Sequence, residues 1–246
     1  MDDEQLQRYS RQIMLPGLDL DGQEQLLNSR VLIVGLGGLG SPAALYLAAA
    51  GVGHLHIADF DHVELTNLQR QILYTSADVG VQKTTAATQH IAALNPGVAI
   101  TAIQQRLDPA SLTELMADVD IVLDGSDNFA TRFAVNAACV RTGKPLIAGA
   151  VIGMEGQLAV FRPDRNGPCY RCVFADTGDQ ALSCSETGVL GPLPGVIGSL
   201  QAVEAIKVLT GLGEALDSRL LVVDALSQSW RRLNLRVDPA CPVCQR

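Results

Sequence analysis

Aromatic side chains are scarce in this chain, with one Trp, four Tyr and five Phe among 246 residues. No run of Lys or Arg compensates for them, so the stripe of cations and stacking rings that a nucleic-acid groove needs is missing. A formal net charge of −8 also repels phosphate polymers and anionic membrane surfaces. Long apolar runs are absent, and none approaches the roughly 18 residues of a membrane span. The chain opens Met1-Asp-Asp-Glu4, acidic where a secretory leader is basic. A cytoplasmic protein with no nucleic-acid and no membrane partner is therefore expected. The glycines are not followed by Gly-Lys-Ser or Gly-Lys-Thr, which excludes a Walker-type phosphate loop. All four histidines precede residue 91, so the second half offers none to a nicotinamide. Internal repeats, low-complexity tracts and separate linkers are lacking too.

What the chain does have is 48% hydrophobic residues, enough to bury a substantial core, and a glycine loop, Gly35-Leu-Gly37-Gly38-Leu-Gly40. The apolar run Val31–Val34 leads into the loop and the small-residue pattern Pro42–Ala50 leads out. That is the strand, turn and helix context of a dinucleotide fingerprint, in which glycines let backbone approach a phosphate and the helix start offers free N–H groups.

Further β-rich runs at Leu55–Ala58, Ala99–Ile103, Val119–Leu123 and Leu146–Ala148 alternate with helical patterns at Lys83–Leu94, Ser111–Ala117 and Asn128–Arg141. Alternation of this kind predicts an α/β fold, a Rossmann-like, mostly parallel sheet with helices on both faces. Ser126 or Asp127 is positioned to cap the helix carrying Asn128. After Gly149 the pattern changes. A strand at Gln157–Phe161, an irregular stretch from Arg162 to Gly195, a helix at Leu200–Leu209 closed by Gly211, and strands at Leu220–Val223 and Trp230–Val237 predict an antiparallel second half beside the first. The expected organisation is an N-terminal helical arm over 1–28, a nucleotide-binding α/β region over 29–150 and a further region over 151–246, integrated as one domain.

Asp59 lies 19 residues beyond Gly40, at the end of the second predicted strand, where an acid can accept from a ribose hydroxyl. By itself this spacing also fits a nicotinamide-dependent oxidoreductase. In the polar segment that follows, which holds Asp61, Thr66 and Gln69 among the candidate binding residues, Asn67 and Arg70, with Lys83 beyond them, exceed what a nicotinamide requires and suit the β- and γ-phosphates of ATP. Each of these residues taken singly also reads as an ordinary solvated side chain on a loop. Asp127, beside Asn128 at the carboxyl end of the fourth predicted strand, reads either as a magnesium ligand or as a helix cap, with Asp124 and Asp61 as alternative acids.

Six cysteines in a reducing compartment read as ligands, nucleophiles or packing. Cys169-Tyr-Arg-Cys172 and Cys241-Pro-Val-Cys244 match a tetrahedral structural zinc, with redox chemistry the competing reading of each pair alone. Cys184 is either a nucleophile or an exposed thiol, and Cys139 reads as buried packing.

Taken together, Arg8-Tyr-Ser-Arg11-Gln, the glycine loop, Asp59-Phe-Asp61, Asn67-Leu-Gln-Arg70-Gln71, Lys83, Asp127-Asn128 and the two CxxC pairs resemble the adenylyltransferases that activate ubiquitin-like sulfur carriers. These serve the molybdopterin-synthase and thiamine pathways and are related to ubiquitin-activating enzymes. The resemblance implies a homodimer that uses ATP, Mg²⁺ and Zn²⁺ and forms an acyl-adenylate on the Gly-Gly tail of a small carrier, releasing pyrophosphate. It places Gly38 at the phosphates, Asp59 on the ribose, Asn67, Arg70 and Lys83 on the phosphate chain, and Asp127 on Mg²⁺. Arg11 matches an arginine inserted into the partner's site, and Cys184 a position used for thioester or sulfur chemistry in some relatives. Residues 151–246 would bind the carrier, with a sulfurtransferase as a further partner. Ser41–Leu47 and Gln69–Leu73 lean to the thiamine enzyme; Met154–Gln157 and Cys184–Gly188 lean to the molybdopterin enzyme, which is placed first. A zinc-stabilised binding module with a degenerate nucleotide site is the remaining alternative.

Overall fold

The computed structural model describes residues 1–175 and 188–245. Within them one sheet of eight strands runs through the molecule in the order β3-β2-β1-β4-β5-β6-β7-β8. The strands are β1 (Arg30–Val34), β2 (His54–Ala58), β3 (Ala99–Ile103), β4 (Ile121–Asp124), β5 (Leu146–Ile152), β6 (Glu155–Phe161), β7 (Arg219–Asp224) and β8 (Ser229–Asn234). Strands β1 to β5 pair in parallel, and β5 to β8 pair antiparallel. The mostly parallel half and the antiparallel half therefore share β5, whose first residues pair with β4 and whose whole length pairs with β6.

Nine α-helices surround the sheet: α1 (Asp3–Arg8), α2 (Ser10–Ile13), α3 (Asp19–Asn28), α4 (Gly40–Ala49), α5 (Lys83–Leu94), α6 (Pro109–Ala117), α7 (Phe129–Thr142), α8 (Tyr170–Val173) and α9 (Pro192–Thr210), counted among the described residues. Side chains alternate across a strand, so β1 buries Val31 and Ile33 with α4, α5 and α9, and Leu32 and Val34 with α6 and α7. Both faces are covered, which is why the central strands read as continuous apolar runs.

The long helix departs from expectation. α9 begins at Pro192, not Leu200, so the stretch read as irregular contributes its first turns. Proline is tolerated in the first turn of a helix, where its missing N–H has no partner to lose. Gly198 follows because a Cβ there would stand 2.2 Å from the Leu39 carbonyl oxygen. Among the described residues α9 is the one helix long and apolar enough to match a membrane span, although no such run stood out in the sequence. Here Leu193, Ile197, Ala202 and Ala205 are buried in the core, and Gln201 and Glu204 are buried with them. Gln201 fastens the helix to the sheet by donating to the carbonyls of Asp124 and Ile147 at 2.9 and 3.1 Å.

His56 on β2 is buried, stacks on His54 with ring centroids 4.3 Å apart, and has no partner at either ring nitrogen. Burial, then the neighbouring His54, holds its pKa below the usual imidazole value. The folded state thus keeps His56 neutral, and its stability contribution is complete above the unfolded pKa of about 6.5 and declines as pH falls below it. We expect the unfolding free energy from urea titration to drop between pH 7.5 and 5.5, by no more than about 1.4 kcal/mol per pH unit for this one group. His56→Leu should flatten that part of the profile; an unchanged slope in the variant would assign it to other groups.

Candidate active site

The cavity opens at the carboxyl ends of β1, β2 and β4, beside the point where strand order reverses between β1 and β4. Its floor is the glycine turn. Gly35 has φ +87°, and a Cβ on it would meet the Gly125 backbone at 3.0 Å. Gly40 is tighter still, because a Cβ there would lie 1.9 Å from the Gly35 oxygen. Gly37 and Gly38 line the cavity beside Arg70 and Gln71.

Asp59 sits at the end of β2 and lines the wall. Its carboxylate accepts from the Leu36 amide at 2.7 Å and the Asp61 amide at 2.9 Å, so it holds the glycine turn as well as facing the cavity. Burial raises its pKa, opposed by Lys83 and these two amides. Lys83, with 6% of its side chain exposed, places Nζ 3.0 Å from Asp61 and 3.8 Å from Asp59. It stands behind the two carboxylates and is not among the residues lining the cavity.

Arg70 lines the cavity, while the other members of its segment support it. Asn67 is buried, and its carbonyl accepts from the amides of Arg70 and Gln71. Thr66 offers its carbonyl to Arg70 Nη1 at 3.1 Å. Gln69 packs on Gly191, where a Cβ would come within 2.4 Å of the Gln69 carbonyl oxygen. Thr66, Asn67 and Gln69 therefore shape the turn from outside the cavity lining.

Of the three acids considered for magnesium, Asp127 is exposed and lines the cavity. Asp124 is 1% exposed and turned inward, accepting from the amide and hydroxyl of Ser126 at 2.9 and 2.6 Å; burial raises its pKa. Asp61 lines the rim but is paired with Lys83. The expected cap is corrected: neither Ser126 nor Asp127 caps α7. Asn128 does so, accepting from the Thr131 amide at 2.9 Å, which leaves the Asp127 carboxylate available to a ligand.

Arg11 lies exposed on α2 and does not line the cavity of its own chain. Cys184 lies outside the described residues. Sequence reasoning missed Gln71 as a lining residue, although it closes the motif it quoted, and Arg132, whose signal was its position four residues after Asn128 on one helix face. Gln71 is 4% exposed and its Oε1 has no hydrogen-bond partner.

The cysteine pairs meet beside α7, where Asn136 Nδ2 lies 3.7 Å from Cys169 Sγ. Cys169 Sγ lies 3.8 Å from Cys172 Sγ and 3.7 Å from Cys241 Sγ, and Cys172 Sγ lies 3.5 Å from Cys244 Sγ. A tetrahedral site with Zn–S bonds of about 2.3 Å separates its sulfurs by about 3.8 Å, so this donor set fits zinc. All four positions are protein thiols, leaving no open coordination place for catalysis.

The model of the ThiF family matches residues 9–243, nearly the whole chain. The chain belongs to the ThiF family. Its similar proteins include a molybdopterin-synthase adenylyltransferase and a sulfur carrier protein ThiS adenylyltransferase, both from Escherichia coli K12. Each is 50% identical over 99% of this chain, covering 98% and 97% of the relatives respectively. Among solved structures, Escherichia coli MccB with ATP superposes with a TM-score of 0.84 at 25% identity, over 97% of this chain and 75% of MccB. This ThiF-family chain thus shares the Rossmann-like sheet and the full length of proteins named adenylyltransferases, and the nicotinamide and binding-module alternatives are set aside.

Purified protein should carry one zinc per chain by elemental analysis. Cys241→Ser should lose most of it and lower stability on the order of several kcal/mol. A metal-free variant melting with the wild type would remove the clamp from the account of stability.

Proposed function

We propose that this chain binds MgATP in the glycine-floored cavity and adenylates the C-terminal glycine of a ubiquitin-like sulfur carrier. The observation that carries the reading is the convergence of Gly37, Gly38, Asp59, Arg70 and Asp127 on one cavity in a chain matched end to end by adenylyltransferases. A carboxylate oxygen of the carrier attacks the α-phosphorus, the bond from that phosphorus to its bridging oxygen breaks, and pyrophosphate leaves with the bond's electrons. Such a reaction needs in-line positioning and charge neutralisation more than a general base.

In this reading the amides of Gly37 and Gly38 receive phosphate oxygens. Asp59 keeps lone pairs for a ribose hydroxyl beyond its two backbone bonds. Arg70 offsets charge on the departing pyrophosphate, Asp127 holds magnesium against it, and Lys83 acts through the two carboxylates it pairs. Residues 151–246, which carry the antiparallel end of the sheet, receive the carrier in this reading. Equal identity to the two Escherichia coli enzymes withdraws the preference for the molybdopterin carrier, and both carriers are candidates.

A homodimer with Arg11 acting across it is part of the proposal. The residues around Arg11 are fixed: Asn95 Nδ2 donates to the Tyr9 hydroxyl at 2.8 Å, and Gln12 Nε2 donates to the Ala50 carbonyl at 3.0 Å. Arg11 is thereby displayed on a rigid arm, pre-organised for insertion into another chain. The outer faces of α4 and α9 leave Tyr46 and Val203 exposed, apolar surface suited to a second copy.

ATP–pyrophosphate exchange with a molybdopterin-pathway carrier and with a thiamine-pathway carrier tests the reaction; exchange with one or both is expected. No exchange with either, on folded zinc-loaded protein, would overturn adenylation of these carriers. Arg70→Ala should lower exchange at least about 100-fold without changing the fold, the scale seen when one transition-state charge partner is removed. In mixed dimers, Arg11→Ala and Asp127→Ala subunits should restore part of the activity that each homodimer lacks. Verified mixed dimers that stay inactive would exclude action in trans.

A further inference from the structure

Residues 125–128 link β4 to α7 without regular structure. The Gly125 amide donates to the Val34 carbonyl at 2.9 Å, and the Asn128 side chain caps α7. Between them Ser126 spends its polar groups on two opposite charges. Its amide and hydroxyl donate to the buried Asp124 carboxylate at 2.9 and 2.6 Å, and its carbonyl accepts from Arg132 Nε and Nη2 at 3.2 and 2.7 Å. Asp127 is the next residue, with its side chain exposed in the cavity wall.

Arg132 stands in the first turn of α7, where a cation opposes the helix dipole. Helix stability therefore does not account for a cation at this position, whereas the turn does. One edge of a guanidinium presents two donors in a fixed plane, which an ammonium group cannot do. Phe129 lies against the same guanidinium, with Cζ 5.8 Å from the ring centroid, and lines the cavity beside it.

We infer that Arg132 is a positioning residue: its guanidinium clasps the Ser126 carbonyl and so holds the Asp127 carboxylate in place for the magnesium of MgATP. The inference rests on the MgATP reading above. An exposed carboxylate on an irregular turn would lose its freedom each time it took a metal, and the clasp has already removed part of that freedom in the ligand-free chain. Magnesium demands a narrow octahedral geometry, so it gains most from a ligand that does not wander. Because Arg132 also lines the cavity, the rival role is direct contact with a phosphate. The two roles differ in one measurable respect: a direct contact works without metal, and the clasp only through it.

Calorimetry of ATP binding to zinc-loaded protein, with magnesium and without added divalent cation, separates them. Magnesium should tighten binding by the wild type. Arg132→Met should lose about tenfold in affinity with magnesium, the scale of an outer partner of a metal ligand, and less than about twofold without it. Asp127→Asn should show the same pattern, and the double variant should be little worse than either, because both act through one carboxylate. In ligand-free protein, hydrogen exchange over residues 125–128 should rise about tenfold in Arg132→Met, with zinc content and exchange in 54–58 unchanged. Arg132→Lys keeps the charge without the fork; it serves if the methionine variant does not fold, and should show the same pattern at about threefold. Equal losses with and without magnesium would make Arg132 a phosphate ligand and overturn the clasp, as would unchanged exchange over 125–128 or additive losses in the double variant. If the wild type binds no ATP under either condition, the nucleotide reading fails instead, and the exchange data still decide whether Arg132 holds the turn.

Discussion

Everything at the active end of this molecule depends on three backbone approaches that admit no side chain. Gly35 meets Gly125, Gly40 meets the Gly35 carbonyl, and Gly198 of α9 meets the Leu39 carbonyl. With Cβ atoms at these points the β1–α4 turn could not lie against the end of β4, and α9 could not lie against the turn. The cavity exists because β1 and β4 diverge at the reversal of strand order, and the glycines let the chain close its floor without filling it.

Around that floor the charges are arranged in pairs with different depths. Asp59 and Asp124 are held by backbone amides or by Ser126 and serve the architecture first. Lys83 compensates Asp59 and Asp61 from behind. The charged side chains that line the cavity besides Asp59 and Asp61 are Arg70, Arg106, Asp127 and Arg132, three cations and an anion.

The C-terminal half solves a different problem. Strands β6 to β8 extend the sheet beyond β5, and the chain end returns to place Cys241 and Cys244 against Cys169 and Cys172. A short helix of four residues, α8, would be marginal alone; it is held by Asn136 and by aromatic packing of Tyr170, and its two sulfurs belong to a four-thiol set that suits a metal. The long core helix α9 ties both halves together through Gln201, whose amide satisfies carbonyls of β4 and β5 at once.

The local grammar of the chain was enough to determine the five parallel strands, the glycine turn, Asp59 at its proper distance and the paired cysteines, because each depends on periodicity or on spacing along the chain. The start of α9 was hidden, since Pro192, Pro194 and Gly195 carry loop propensities that only burial against α4 and β5 overrides. The sorting of the polar segment was hidden as well: Arg70 faces the cavity while Thr66, Asn67, Gln69 and Lys83 support it, a division that depends on which way each side chain leaves a turn. Sequence thus determined the family, the fold class and the set of residues from which a site could be built. Tertiary structure alone decided which of them touch the cavity, that Asn128 and not Asp127 spends its side chain on the helix end, and that Arg132 reaches back to the Ser126 carbonyl beside Asp127, because those outcomes are set by where each side chain leaves its turn once the strand ends are packed together.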